Sequence, residues 1–376
     1  METRDMRQFG KKISLLGFGC MRLPVIDQES QLIDVEKAEA MVDRAYAAGV
    51  NYFDTAFVYH KGKSEGFIGK ALGKYPRESF YLADKLPIWS VKVPEDVDSL
   101  FAKQQERCQV SSFDFYLAHS LNREYYPRYK AANAHENLLR KKEQGLIKYL
   151  GFSFHDNADL LETILSENQW DFVQIQLNYI DWDACDAKRL YELLVEHNLP
   201  AVIMEPVRGG ALASLNDTAV SILKKADPGA SAASWAIRYA ASLPNVMTVL
   251  SGMTTMEQLE DNLKTMADFR PLSDAERAVL AEAAAAYKAS GAIACTGCRY
   301  CMDCPEGLDI PRVFALYNHY CVSKSRIHFD NNYKSLRESE QAHNCIACGA
   351  CVERCPQRLD IPEHVRDIAA FVDTQE

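Results

Sequence analysis

Four side chains of different chemical type carry the argument: Asp54, Tyr59, Lys85 and His119. Three of them end short apolar runs, Tyr52 to Asp54, Phe80 to Lys85 and Phe113 to His119, and Tyr59 falls in the loop after the first. A tyrosine hydroxyl titrates near about 10, too high for ready proton donation at neutral pH. An ammonium beside it favours the phenolate and lowers that value, so Lys85 is expected to tune Tyr59 downward. Asp54 can pair with Lys85 and keep it charged and aimed, and His119 can hydrogen-bond a carbonyl oxygen and polarise it. Such a set protonates oxygen while hydride arrives at carbon, which requires a hydride donor.

The second chemical set is sulfur. Four of the twelve cysteines are scattered (Cys20, Cys108, Cys185, Cys321) and eight lie in two tight runs. One run is Cys345-x2-Cys348-x2-Cys351-x3-Cys355, followed by Pro356; the other is Cys295-x2-Cys298-x2-Cys301-x2-Cys304, followed by Pro305. The first has the spacing of a bacterial-type [4Fe-4S] ferredoxin, and the second is one residue shorter before its last cysteine. Two four-thiolate zinc sites are the alternative, though zinc usually takes two separated Cys-x2-Cys pairs rather than one continuous run. The scattered four read as packing cysteines.

Elements must hold these residues in place. Before residue 270, strand-like runs alternate with helical patterns: Leu15 to Gly19 before Val35 to Ala48, Tyr52 to Asp54 before Ser64 to Leu72, Phe80 to Lys85 before Pro94 to Gln109. Phe113 to His119 precedes Tyr129 to Gln144, Tyr149 to Ser153 precedes Ala158 to Glu167, and Phe172 to Gln176 precedes Lys188 to His197. Pro200 to Glu205 leads to helical stretches at Ala219 to Lys225 and Ser231 to Ser242, and Val246 to Leu250 leads to Met256 to Ala267. Eight β/α units in about 250 residues predict an α/β fold, a (β/α)8 TIM barrel whose strand ends share one rim. An open doubly wound sheet is the rival, but no GxGxxG follows the first strand.

Asp274 to Ser290 reads as one more helix, stopped by Gly291, which places a boundary between a barrel domain (1–290) and a small C-terminal α-helical ferredoxin-like domain (291–376). The second domain repeats itself: Cys304-Pro-Glu-Gly-Leu-Asp-Ile-Pro311 returns as Cys355-Pro-Gln-Arg-Leu-Asp-Ile-Pro362, each copy running into a helix with Pro at its first position. The chain of 376 residues has a formal net charge of -10, which argues against nucleic acid or an anionic membrane as partner. Neither a signal-peptide layout nor an apolar run long enough to span a bilayer is evident, so a cytoplasmic location is expected.

Over residues 10–270 the sequence resembles the aldo-keto reductase family. The resemblance rests on Gly17-Phe-Gly-Cys-Met-Arg-Leu-Pro24, Asp54-Thr-Ala-x-x-Tyr59, Ala83-Asp-Lys85, Asp114-Phe-Tyr-Leu-Ala-His119 and Gly145-Leu-Ile-Lys-Tyr-Leu-Gly-Phe-Ser153. It implies a barrel binding NADP(H) or NAD(H) at the strand ends, Tyr59 as general acid, Lys85 and Asp54 as its tuners, and His119 orienting a small-molecule carbonyl. Gly19 and Met21, in the first matching stretch, and Ser153 and Gln174 fall at cofactor positions, the last two on the nicotinamide carboxamide. The family's Asn after that Ser is Phe154 here, with His155 following. Met204 stands where many members stack a Tyr on the nicotinamide, or is a strand-end core residue.

After the eighth strand, Ser251 and Gly252 lead to Thr254 and Glu257, which can form a capping box presenting N–H groups to a phosphate, or a cap alone. Gln258 stands where an Arg often holds the 2′-phosphate, which leaves NADP against NAD open, and Asn262 keeps a family position near the adenine. Arg208, with Gly209 and Gly210, lines the pyrophosphate or is a surface loop. For the cysteines, the family pairing implied is Cys295, Cys298, Cys301 and Cys355 on one cluster, with Cys345, Cys348, Cys351 and Cys304 on the other.

The reading is therefore an NAD(P)H-dependent aldo-keto reductase carrying two [4Fe-4S] clusters, structural or serving a separate redox partner protein. Hydride transfer and one-electron steps usually meet at a flavin, and no flavin motif is visible. The alternatives are an electron-transfer protein or a redox sensor whose barrel binds nucleotide or a partner without carbonyl turnover.

Overall fold

The computed structural model of the chain describes residues 1–6, 9, 11–27 and 29–374. Eight parallel strands close into a barrel in sequence order: β1 Leu16–Gly19, β2 Tyr52–Asp54, β3 Tyr81–Pro87, β4 Phe113–Leu121, β5 Ile147–Phe154, β6 Phe172–Gln176, β7 Ala201–Met204 and β8 Val246–Gly252. Their sequences are apolar on both faces because one face fills the barrel and the other meets helices. The helices that follow are α1 Val35–Ala47, α2 Ser64–Leu72, α3 Pro94–Cys108, α4 Tyr125–Ala131, α5 Ala134–Glu143, α6 Ala158–Glu167, α7 Asp181–Ala184, α8 Ala187–Glu196, α9 Asp217–Ala226, α10 Ala232–Ala241, α11 Met256–Ala267 and α12 Asp274–Lys288. Side chains placed one residue ahead cap several of them: Asp34 accepts from Lys37 N, Asn157 from Leu160 N, and Asn216 from Ala219 N.

Strand register decides which residues share the barrel interior. Asp54 pairs with Ala83, Lys85 with Leu117, and Pro87 with His119. Paired residues share a face, and so do residues two apart on one strand. Asp54, Ala83, Lys85, Leu117 and His119 therefore lie on one face of the wall, while Asp84 and its partner Tyr116 lie on the other.

Three features depart from the sequence reading. The helix expected over 129–144 is two helices, α4 and α5, broken where Asn133 takes a left-handed φ of 47°. Strands β3 and β4 run two residues past Lys85 and His119, and β4 does so through an irregularity at Ala118/Leu121 where Ser120 has φ 61°. An antiparallel hairpin, Thr3–Met6 with Lys11–Ser14, precedes the barrel. Between its two strands, Phe9 packs edge-on against Phe115 and Tyr149 at 5.6 and 4.4 Å, joining a buried layer with Tyr52, Tyr81 and Phe172 near the strands' N-terminal ends.

By packing, the chain divides into one unit of 1–206 with 236–272 and a second of 207–235 with 273–376. The sequence boundary at 290/291 leaves α9 and α12 with the barrel repeat, whereas packing groups them with the tail; Asn216 Nδ2 donates to Ala286 O at 2.9 Å. The second unit continues with α13 Ile310–Ser323, α14 Arg326–Tyr333, α15 Ala350–Glu353 and α16 Ile361–Asp373 around Leu308, Val313, Phe314, Phe329 and Ile368. The sequence repeat is a structural one. Asp309 caps α13 through Arg312 N, and Asp360 caps α16 through Glu363 N, with Pro311 and Pro362 second in each helix.

Candidate active site and cysteine centre

Strands β2, β3 and β4 bring Asp54, Lys85 and His119 together. Lys85 is fully buried, and its Nζ donates to Asp54 Oδ1 at 2.6 Å and to Thr55 O at 2.7 Å. These bonds use two of the three ammonium donors. The same Nζ lies 5.1 Å from the centre of the Tyr59 ring, and that ring meets His119 edge-on at 6.3 Å. Tyr59 sits in the short helical turn Tyr59–Gly62, where His60 and Lys61 adopt positive φ; this sharp turn faces the phenol to the strand ends.

Electrostatics correct one expectation. Lys85 was to lower the Tyr59 pKa; instead, burial first and the Asp54 carboxylate second hold it well above its ordinary value. The lysine charge is taken up by Asp54, so less of it reaches the phenol. Asp54 itself is raised by burial against the opposing pull of Lys85. Burial, then Lys85 and His155, push His119 well below the usual imidazole range, so it is neutral at physiological pH. A neutral ring can donate one N–H to an oxygen, and a phenol that keeps its proton is an acid available for a stronger base such as a developing alkoxide.

Gln174 is buried, donates to Met204 Sδ at 3.5 Å, and leaves its Oε1 without a partner. A buried carbonyl oxygen left so is a place for an amide N–H of a ligand. Ser153 Oγ accepts from Ser120 N at 2.8 Å, which fixes it beside the β4 irregularity. Gly19 lies buried where an added Cβ would stand 3.2 Å from Ser251 O, and Met21 occupies the turn that follows. At the end of β8, Asn262 Nδ2 donates to Ser251 Oγ at 2.9 Å. Gly252 lies under the Arg22 side chain, whose guanidinium meets Glu205 at 3.6 Å.

The capping box predicted from Thr254 and Glu257 is shifted by one residue. Thr255 Oγ1 accepts from Gln258 N, and Gln258 Oε1 accepts from Thr254 N at 2.8 Å. Gln258 thus spends its carbonyl on the helix terminus. Arg208 is buried in the second unit, in the turn Arg208–Ala213, where Gly209 approaches Thr296 so closely that an added Cβ would overlap its carbonyl.

Sequence reasoning missed one aromatic neighbour. Trp89 stands 5.0 Å from the His119 ring and is itself backed by Tyr125 at 6.0 Å. Its signal was available: Trp89 falls four residues beyond Lys85 in the loop the barrel directs to the rim.

The cysteines sort into two sets of four. The Cys301 thiol feels those of Cys298, Cys295 and Cys355, and the Cys351 thiol those of Cys345, Cys304 and Cys348. Burial and these neighbours push both upward, as crowded thiols do until cations draw off their protons. Cys295, Cys298, Cys301 and Cys355, with Pro356, line one small cavity. Among the described residues, no three Cys, His, Asp or Glu side chains converge as closely as a single metal ion requires. Cys20, Cys108 and Cys321 are buried, and Cys185 donates to Asp181.

A closed parallel barrel with this rim, joined to a cysteine-rich helical unit, is an oxidoreductase architecture. The chain belongs to the aldo/keto reductase family, whose pattern matches residues 15–285, and residues 294–359 match a 4Fe-4S dicluster domain. Members of that family act on small-molecule carbonyls with NAD(P)H, and the second match indicates iron–sulfur clusters. The chain is 31% identical over 152 residues to a probable aldo-keto reductase of Glycine max, covering 38% of this chain and 42% of that protein. It is 25% identical over 307 residues to an uncharacterized oxidoreductase of Bacillus subtilis (strain 168), covering 73% and 94%. The holo form of an aldo-keto reductase from Bacillus halodurans superposes with a TM-score of 0.63 at 22% identity, covering 75% and 96%, and so shares the fold. Among the described residues no helix is long and apolar enough to cross a membrane.

Proposed function

We propose that the chain reduces a small-molecule carbonyl with NADPH or NADH, Tyr59 protonating the oxygen. The observation that carries this reading is the convergence of Asp54, Lys85, His119 and Tyr59 at one rim. His119, neutral, donates a hydrogen bond to the carbonyl oxygen and makes its carbon more electrophilic. The bound nicotinamide supplies the hydride. As negative charge grows on oxygen, the Tyr59 proton moves to it, and Lys85, held by Asp54, stabilises the phenolate left behind. Gly19, Met21, Ser153, Gln174, Met204, Ser251, Gly252, Gln258 and Asn262 would hold the nucleotide, the unpartnered Gln174 oxygen taking the carboxamide N–H.

The cysteines would hold two [4Fe-4S] clusters in the sets named above, which supply one electron each; the sorting of eight thiols into two fours supports this. The compartment proposed is the cytoplasm. The barrel and tail are proposed not to exchange electrons, the tail being structural or serving a separate redox partner protein. An anaerobic visible spectrum with iron and sulfide analysis, followed by NADPH and then NADH titration, tests this. Roughly eight irons per chain and a band that persists while an added aldehyde is reduced are expected. Bleaching by nicotinamide alone would refute the separation, and no turnover of any aldehyde or ketone would refute the reductase.

A further inference from the structure

Behind Lys85, on the outer face of β3, lies a second acidic site. Asp84, Glu65 and Gln104 are all completely buried there. Asp84 Oδ1 accepts the backbone N–H of Lys85 at 2.8 Å, and the Gln104 side-chain nitrogen donates toward Asp84 Oδ2 at 2.9 Å, Glu65 Oε1 at 3.0 Å and Lys85 O at 3.0 Å. Tyr116 donates to Gln104 Oε1 at 2.5 Å, which sets the orientation of the amide. Arg107 Nη1 donates to Glu65 Oε2 at 2.7 Å, and Cys108 Sγ lies 3.7 Å from Asp84 Oδ2. Because one Gln104 nitrogen reaches both, the Asp84 and Glu65 carboxyl groups are close neighbours.

Proton accounting decides the state of this site. One amide nitrogen has two N–H groups for three acceptors, so two carboxylates gathered on it are short of a donor unless one of them carries a proton. Charge accounting agrees. Lys85 is matched by Asp54 and Arg107 by Glu65, so an ionised Asp84 would be a buried charge with no counter-ion of its own. The other titratable groups that feel the Asp84 charge are Cys20, Tyr59, Cys108 and Tyr116, none of them cationic. Burial and the Glu65 carboxylate hold the Asp84 carboxyl well above the usual range.

We infer that Asp84 and Glu65 share one proton, carried on Asp84, and that this buried acid pair is a positioning element for Lys85. Asp84 anchors the lysine backbone at its N–H, and Gln104, held by the pair, anchors it at its carbonyl, with no negative charge added next to the ammonium. Ionising Asp84 would place a second carboxylate beside Lys85, weaken the field the ammonium exerts on the Tyr59 oxygen, and make the phenol a poorer acid. The consequence for turnover rests on the proposed reductase reading; the shared proton does not.

The test is difference infrared spectroscopy of the purified full chain in H2O and D2O, combined with kinetics. Wild type at neutral pH should show a buried carboxylic-acid carbonyl band that shifts in D2O and is missing in Asp84→Asn. In Glu65→Gln the band should also vanish, because Asp84 loses the neighbouring carboxylate that holds its proton and ionises. There kcat should fall roughly tenfold with the carbonyl KM little changed, about one pKa unit of lost tuning. Adding Asp84→Asn to Glu65→Gln should restore most of kcat, since the unwanted charge is gone. A merely structural network would give additive losses instead. A wild type without the band, a band that survives in Asp84→Asn, or a double variant no better than Glu65→Gln would overturn the inference. If Glu65→Gln does not fold, the wild-type and Asp84→Asn spectra decide alone. A wild type inert toward carbonyls but showing the band would overturn the reductase reading and leave the shared proton standing.

Discussion

The rim of the barrel and the cysteine unit solve the same problem, gathering four reactive side chains, in opposite ways. At the rim, Asp54, Lys85 and His119 come from three strands separated by about thirty residues each, and sheet register alone makes them neighbours. In the cysteine unit three of each four thiols come from one run of seven residues, and only the fourth, Cys355 or Cys304, crosses from the other run. A site built on register tolerates change in its loops but depends on the whole barrel. A site built on short loops is nearly local, yet each half draws its fourth thiol from its twin. The first set is tied by hydrogen bonds and ring contacts; in the second, burial and neighbouring thiols oppose deprotonation.

The largest effect is expected at Tyr59, on the rim alone. Replacing it by Phe should lower kcat for carbonyl reduction by about 10²–10⁴, with nucleotide affinity and the iron–sulfur spectrum unchanged. A variant that still turns over would show that the rim does not work through its phenol. Next in size is Asp54→Asn, which strands the buried Lys85 ammonium and should cost about 3–5 kcal/mol in chemical denaturation. A loss below 1 kcal/mol would mean that the pair is solvated.

The crossed ligands give a sharper contrast. Cys355→Ser should remove the same half of the iron signal as Cys301→Ser, whereas Cys304→Ser should remove the other half, read by electron paramagnetic resonance of the reduced chain. If Cys355→Ser instead pairs with Cys351→Ser, the runs bind their clusters separately.

Acid should act on the barrel through its histidines. Burial pushes His155 down to about 4, so it stays neutral in the fold while the unfolded chain protonates near 6.5. Its stabilising effect is complete above about 6.5 and is lost as the pH falls towards about 4, at roughly 1.4 kcal/mol per pH unit. His119 adds in the same direction. Denaturation midpoints compared at about pH 7.5 and about pH 5 should fall in wild type and fall less in His155→Phe. The smallest effect expected is at Gln258: an Arg there should raise the NADPH over NADH preference by a few-fold to about tenfold, offset in part by the lost bond to Thr254 N.

Much of this was legible in the chain. Alternating runs announced eight β/α units, and residue types at strand ends announced the rim, because side-chain periodicity and burial are local properties. Cysteine spacing announced the two runs for the same reason. Less legible was the break at Asn133, where one left-handed residue interrupts an otherwise unbroken helical pattern. The hairpin before the barrel was equally hidden, since short polar strands carry little periodicity and Phe9 acquires meaning only against Phe115 and Tyr149.

By itself the sequence determined the element order, the identity of the rim residues and the two cysteine runs, all written in spacings of a few residues. Tertiary structure decided the rest. It spent the Lys85 charge on Asp54 rather than on the phenol, turned Gln258 back onto its own helix, and put Asp84 against Glu65 on the far side of the same strand as the lysine. These outcomes depend on distance and desolvation between residues far apart in the chain. Electrostatic energy varies with both, and neither is contained in a spacing.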